Sequence, residues 1–241
     1  MIAVAFAADL VEEAVLLAEQ SMTVETRRAF RRERDRVYVV SDVDAREVRF
    51  RHLHRRWFHE LGLDCGIEQM IADRLADACG VSFPKECRVV GAVTRREEGA
   101  DLVDRIAPES GVIHVVLVIR LRPLTLLDPK VVAALLHHEL THVADMLDPE
   151  FGYERALPPS GEGPSADTIL RDRYRVLWDI TIDGRLAREG HADEAVRRAR
   201  RQEFVDTFTM LGGRGVTAFD EWFACTQPSH ARLAAYALSP A

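Results

Sequence analysis

The sequence predicts an α+β fold, mostly helical with a small mixed sheet. Three observations predict it. Apolar residues recur at helical spacing through most of the chain; the β-branched runs Arg88–Thr94 and Val112–Leu121 stand close together; and no internal repeat or low-complexity tract interrupts them. At 241 residues, 47% hydrophobic and 29% charged, the chain is long enough to bury a sizeable core without disulfides or a structural metal.

Taken in order, Leu10, Val11, Ala14, Val15, Leu17 and Ala18 give residues 9–20 an amphipathic helix. Arg36–Val40 (RVYVV) reads as a short strand. Residues 44–61 place Val48, Leu53, Trp57, Phe58 and Leu61 among arginines, a helix with a basic face. Ile67–Ala78 follows as another helix. The polar segment Arg95–Gly111 joins the two β-branched runs. Asp128-Pro129 is a helix start, an N-cap with proline at the first helical position, and Asp148-Pro149 ends that helix near Leu147. The prolines and glycines of 148–167 predict a long loop, a candidate lid. Helices are expected over Thr168–Glu189, 192–210 and, in two pieces around Pro228, 217–237. The whole reads as one domain over 1–241: a helical part at 1–85, strands and the chemistry-bearing helices at 86–190, and C-terminal helices at 191–241.

A net charge of -7 argues against nucleic acid as the default partner. Cys65, Cys79, Cys87 and Cys225 form no CxxC pair, so a zinc ribbon and a thioredoxin-like motif are both excluded, and reduced thiols are expected. Met1 to Ala8 is apolar, but Asp9 cuts the run short and no basic segment precedes it, which makes a poor signal peptide. The remaining apolar runs are too short to span a bilayer. The expectation is a soluble cytoplasmic protein with no membrane partner.

The chemistry concentrates in Leu135–Asp145, LLHHELTHVAD. His138-Glu139-Leu140-Thr141-His142 is an HExxH pattern, and on a helix positions i and i+4 share one face, so both imidazoles can reach one metal ion. Glu139 lies beside that face, where a carboxylate can take a proton from a zinc-activated water as it attacks a carbonyl. His137 points about 100° away from His138 and is not expected to be a ligand. Asp145 is placed to orient an imidazole or to sit at the surface. A zinc site needs a third protein ligand. Asp179 and Asp183, again i and i+4, lie in the apolar segment Leu177–Leu186; they can serve a cation or pair with Arg175 or Arg185 on their own helix.

HELTH followed by a later helix with two acids four apart resembles the zincin metallopeptidases, and within them the gluzincin branch, whose thermolysin-type members carry HELTH and then ExxxD. The resemblance rests on two short blocks, 135–145 and 177–186. It implies a zincin-like fold, Zn2+ as cofactor, a peptide or protein substrate and Glu139 as general base. By register it implies Asp179 as the third ligand and Asp183 as the residue that bonds a ligand histidine. The chain has Asp where the family has Glu. The shorter side chain requires a closer helix approach, which Gly184 beside Asp183 would favour at the second position, so Asp179 and Asp183 stand as alternatives. The resemblance further implies that Val112–Leu121 is an edge strand along which substrate adds as a further strand, with His114 and Tyr153 as candidates to stabilise the oxyanion.

Eleven arginines against five acids leave residues 27–56 strongly basic within an acidic chain. A solvated helix face laced with salt bridges explains this, and so does a nucleic-acid surface. The expected function is therefore a zinc metallopeptidase using His138, His142 and Asp179 or Asp183 as ligands. The alternatives are a non-catalytic zinc-binding sensor or docking module, and a nucleic-acid-associated protein using 27–56.

Overall fold

The computed structural model describes residues 2–64, 66–76, 83–106 and 113–240. The described residues fall into two compact units, one within 2–76 and 83–136 and the other within 137–240.

The first unit holds a mixed sheet. Strand β1 (Ala3–Phe6) is followed by helices α1 (Ala8–Ala18), α2 (Val24–Tyr38), α3 (Val43–Glu60) and α4 (Ile67–Arg74). Strands β2 (Glu86–Gly91), β3 (Gly99–Ile106) and β4 (Ile113–Leu121) complete the sheet among the described residues. Its order is β1-β2-β4-β3; β1, β2 and β4 run parallel and β3 is antiparallel to β4. Local chemistry sets the helix starts: the Thr23 hydroxyl accepts from the Thr26 N–H, and the Asp42 carboxylate accepts from the Ala45 N–H. Leu10, Val11, Ala14 and Val15 of α1, Phe30 of α2, and Trp57 and Phe58 of α3 are buried, as are Cys87, Val89, Val116 and Ile119 of the sheet. Burial pushes the Cys87 thiol up to about 12, so it is an inert core group; Cys87 and Cys225 are free thiols, while Cys65 and Cys79 lie outside the described residues.

Three expectations need correction here. Arg36–Val40 is not a strand: α2 continues to Tyr38, and Val39 stays 82% exposed, with no strand paired to it among the described residues. The segment after Arg95 is not simply a connection, since it contains β3. An edge strand keeps one side in solvent, which is why its composition reads as polar. Val112–Leu121 is not the edge strand that precedes the HExxH helix. As β4 it is interior, paired with β2 on one side and β3 on the other, so its backbone has no free row for a peptide; Val112 itself lies outside the described residues.

Four of the arginines at 27–56 bond to the helices and turns around them. Arg27 donates to the carbonyls of Glu19, Gln20 and Met22 at the end of α1, Arg31 and Arg34 pair with Glu19, and Arg56 pairs with Glu33 and Glu60. Among the described residues, no helix is long and apolar enough to cross a membrane.

The second unit is helical. Helix α5 (Pro129–Leu147) contributes its portion from His137 onward, and α6 (Pro164–Glu189), α7 (Glu194–Thr207), α8 (Gly215–Ala224) and α9 (His230–Leu238) follow. Helix α6 starts earlier than expected, with Pro164 in its first turn, so the loop shortens to 148–163. The Asp167 carboxylate ties that loop down by accepting from the Ser160 N–H and hydroxyl. Helix α6 packs against α7, α8 and α9, and every residue from 176 to 184 is buried. Leu177, Ile180, Phe204, Phe219 and Leu233 form the core around it.

Gly184 has a different role from the one expected. A Cβ at this position would lie 1.9 Å from the Phe223 carbonyl oxygen, so the missing side chain lets α8, not α5, approach α6. The Gly184→Ala variant should therefore be destabilised by about 1–3 kcal/mol, the usual range for overpacking a rigid contact. Denaturant unfolding checks this; wild-type stability would mean that α8 yields without cost.

Candidate metal centre

Helix α5 buries Val132, Leu136, Leu140 and Val143 along one stripe, while His138, Glu139 and His142 are half-buried on the remaining surface. The opposing residues come from α6, whose Asp179 and Asp183 are 6% and 4% exposed. Both pairs have i, i+4 spacing, so each spans about 6 Å along its axis and the two rows can face each other in register.

They do so in an antiparallel sense. His138 Nδ1 lies 2.7 Å from Asp183 Oδ1, and His142 Nε2 lies 3.1 Å from Asp179 Oδ1. His138 Nε2 is 3.6 Å from the same Asp179 Oδ1. One ligand atom from each of His138, His142 and Asp179 therefore falls within 4.8 Å of the other two, an arrangement that could hold a metal ion. Asp183 stands outside this trio and grips the far nitrogen of His138. The His138 and His142 rings meet edge to face at 5.0 Å, and Trp178 packs edge-on against His142 at 4.4 Å.

The outer oxygens of both carboxylates are taken by arginines. Arg175 Nη1 donates to Asp179 Oδ2 at 2.9 Å. Arg200, from α7, donates through Nε to Asp183 Oδ2 at 2.6 Å and through Nη1 to Asp179 Oδ2 at 3.2 Å. Glu203 accepts from both arginines, at 3.0 Å from Arg175 and 2.7 Å from Arg200.

Burial opposes charge on His138, Asp179, Asp183 and Arg200, but the ion pairs outweigh it. Burial pulls the His138 imidazole down, yet hydrogen bonds and attraction from Asp179 and Asp183 push it up to about 9. Burial likewise raises Asp179 and Asp183, but His138, His142 and Arg200 hold Asp179 well below the usual carboxylate range, and His138 and Arg200 lower Asp183.

Other residues singled out by the sequence have other partners. Asp145 touches no imidazole: it accepts from Trp178 Nε1 at 2.7 Å and from both terminal nitrogens of Arg185 at 2.7 and 2.6 Å. That clamp occupies Arg185, leaving Arg175 as the partner of Asp179 on its own helix. It also fixes the tryptophan that supports His142. His137 is turned aside and stacks on His191 at 3.8 Å. Tyr153 sits 5.5 Å from Trp178 and 5.9 Å from His230, on the wall of a cavity of about 420 Å³ shared with Tyr174 and Leu170. His114 is exposed on β4, opposite Arg105 of β3. Sequence reasoning missed Arg200 and Glu203. Helix α7 carries Arg197, Arg198, Arg200 and Arg201 together, and no spacing distinguishes the one that faces the aspartates.

Comparison with protein-family models, curated proteins and solved structures finds no match. The arrangement is therefore read from its own geometry.

The charges set a pH signature for the metal-free protein. The folded-state pKa of His138 is raised above the unfolded value near 6.5, so its stabilisation is full below about pH 6.5 and is lost as pH rises through about 9. Asp179 and Asp183 are depressed, so theirs is full above about pH 4 and is lost on acidification. In a chelating buffer the melting temperature should fall by several degrees between pH 6.5 and 9.5. His138→Gln should flatten that fall; an equal fall in both proteins would place the titrating group elsewhere.

Proposed function

We propose that this chain is a zinc-dependent metallopeptidase of zincin-like fold that hydrolyses peptide bonds in a peptide or protein substrate. The observation that carries the reading is the convergence of His138 Nε2, His142 Nε2 and Asp179 Oδ1, with Glu139 following His138 directly on α5. Bonds of 2.0–2.1 Å place two ligands of a tetrahedral ion about 3.3 Å apart. The 3.6 and 3.1 Å separations from Asp179 Oδ1 to the two imidazoles bracket that spacing. Two imidazoles and one carboxylate are a donor set that suits zinc and leaves a fourth position open.

Asp179 would be the third ligand and Asp183 the orienting residue, the assignment that the gluzincin resemblance implies. When His138 is neutral, Nδ1–H donates to Asp183 Oδ1 and the Nε2 lone pair faces Asp179 and His142. Bound zinc would supply Lewis acidity, making water a nucleophile near neutral pH. Glu139 takes the proton from the attacking water and hands it to the leaving amine. Its place one residue after His138, outside the trio of converging atoms, suits that role.

The two aspartates should behave differently. Asp179→Ala should abolish stoichiometric zinc binding, whereas Asp183→Ala should weaken affinity by about 10–100-fold. Metal analysis and competition with a chromophoric chelator distinguish them, and wild-type affinity in both would move the third ligand to another acid, with the exposed Glu150, Glu154 and Glu162 of the loop next in line.

Glu139→Gln separates enzyme from binding module. Zinc content should stay near wild type while hydrolysis of a peptide library falls by about 10²–10⁴-fold. Undiminished cleavage would sink the assignment of the base. Zinc bound by both proteins with no cleavage by either would make the chain a metal-binding module instead.

A further inference from the structure

The geometry points to Arg200 as a positioning residue that holds Asp179 to a single metal-facing oxygen and so keeps a coordination position open. The inference rests on the reading of His138, His142 and Asp179 as ligands.

An aspartate can bind a metal through one oxygen or through both. In the second mode it fills a further position, the one a catalytic site reserves for water or substrate. Nothing in the Asp179 side chain itself chooses between the modes. The choice lies with whatever holds Oδ2, and here Oδ2 is held on the side of the carboxylate away from the histidines. Arg200 reaches it with Nη1 at 3.2 Å while its Nε is bound to Asp183 Oδ2 at 2.6 Å. A single rigid fork thus ties together the outer oxygens of Asp179 and of Asp183, the residue that orients His138. Glu203 accepts from the same Nη1 at 2.7 Å and fixes the fork from behind.

Arg175 also reaches Asp179 Oδ2, but it differs in two ways. Its side chain is 55% exposed against 22% for Arg200, so water and salt screen its pull more strongly. It also contacts only one of the two aspartates, and therefore cannot couple their orientations. Lysine could not substitute for Arg200 either, because an ammonium is a point charge without a planar fork.

Cobalt(II) provides a direct readout, since its visible absorption weakens as coordination number rises. The metal-free chain is loaded with cobalt(II), and zinc affinity is measured in parallel by chelator competition. Arg200→Ala should show weaker visible bands than wild type and about 10–100-fold lower zinc affinity. Added methylguanidinium should restore the stronger bands by entering the vacated space. Arg175→Ala should leave the spectrum close to wild type. Removing Arg200 leaves two buried carboxylates short of positive charge, so a second variant guards against loss of fold: Arg200→Lys keeps the charge, and should stay folded by circular dichroism yet show the weakened bands. A wild-type spectrum and affinity in Arg200→Ala, or in a folded Arg200→Lys when Arg200→Ala does not fold, overturns the proposal. So does an Arg175→Ala spectrum as altered as that of Arg200→Ala. Failure of wild-type protein to bind either metal refutes the metal-centre reading itself. Loss of peptidase activity in every form, with cobalt spectra as expected, refutes only the enzymatic part of that reading.

Discussion

Helix α6 carries two aspartates through a stretch in which every residue from 176 to 184 is buried, and most of the second unit can be understood as the answer to their charge. A carboxylate in such surroundings is costly unless its oxygens are bonded and its charge is balanced. The balancing groups come from three helices: His138 and His142 from α5, Arg200 from α7, and Arg175 from α6 itself. Each carboxylate divides its oxygens the same way, Oδ1 to imidazole and Oδ2 to guanidinium. That division fixes the register of α5 on α6, with 138 opposite 183 and 142 opposite 179.

The register is reinforced from outside the cluster. Asp145, one turn beyond His142, takes the Trp178 indole and both prongs of Arg185, so three groups lock the end of α5 to the middle of α6. On the other side, Gly184 lets the Phe223 backbone of α8 sit directly against α6, and Arg188 donates to that same Phe223 carbonyl. Helix α6 is thereby held against both α5 and α8, and its two aspartates have little freedom. Side chains locked by neighbours in this way present a preorganised set of donor atoms, which is what a metal centre needs to hold one geometry.

The same electrostatics link protonation to metal. Without an ion, a proton on His138 supplies part of the positive charge that the aspartates call for. A divalent cation would take its place and give more of it, since binding requires the neutral imidazole. Arg200 stays in either case. Asp179, Asp183 and Glu203 set against two permanently charged guanidiniums, Arg175 and Arg200, leave the cluster one positive charge short, which the proton on His138 offsets.

The sequence by itself determined whatever depends on local spacing. The i, i+4 pairs His138/His142 and Asp179/Asp183 were legible because helical periodicity is a property of a few adjacent residues, and the Asp128-Pro129 start and Gly190 stop delimit helices by the same local logic. The helical excess and the clustered strands were legible for the same reason. Tertiary structure decided the rest. Arg36–Val40 has the composition of a strand, but among the described residues no strand pairs with it, and its first residues finish a helix. β3 hides in a polar stretch because, at the sheet edge, none of its residues is buried, and β4 is interior because β3 returns beside it. Which aspartate faces both imidazoles depends on how two helices far apart in sequence are set against each other. That Arg200, among four neighbouring arginines, closes the cluster depends on the rotation of α7. Such choices follow from distances between segments remote along the chain, and spacing within one segment carries no information about them.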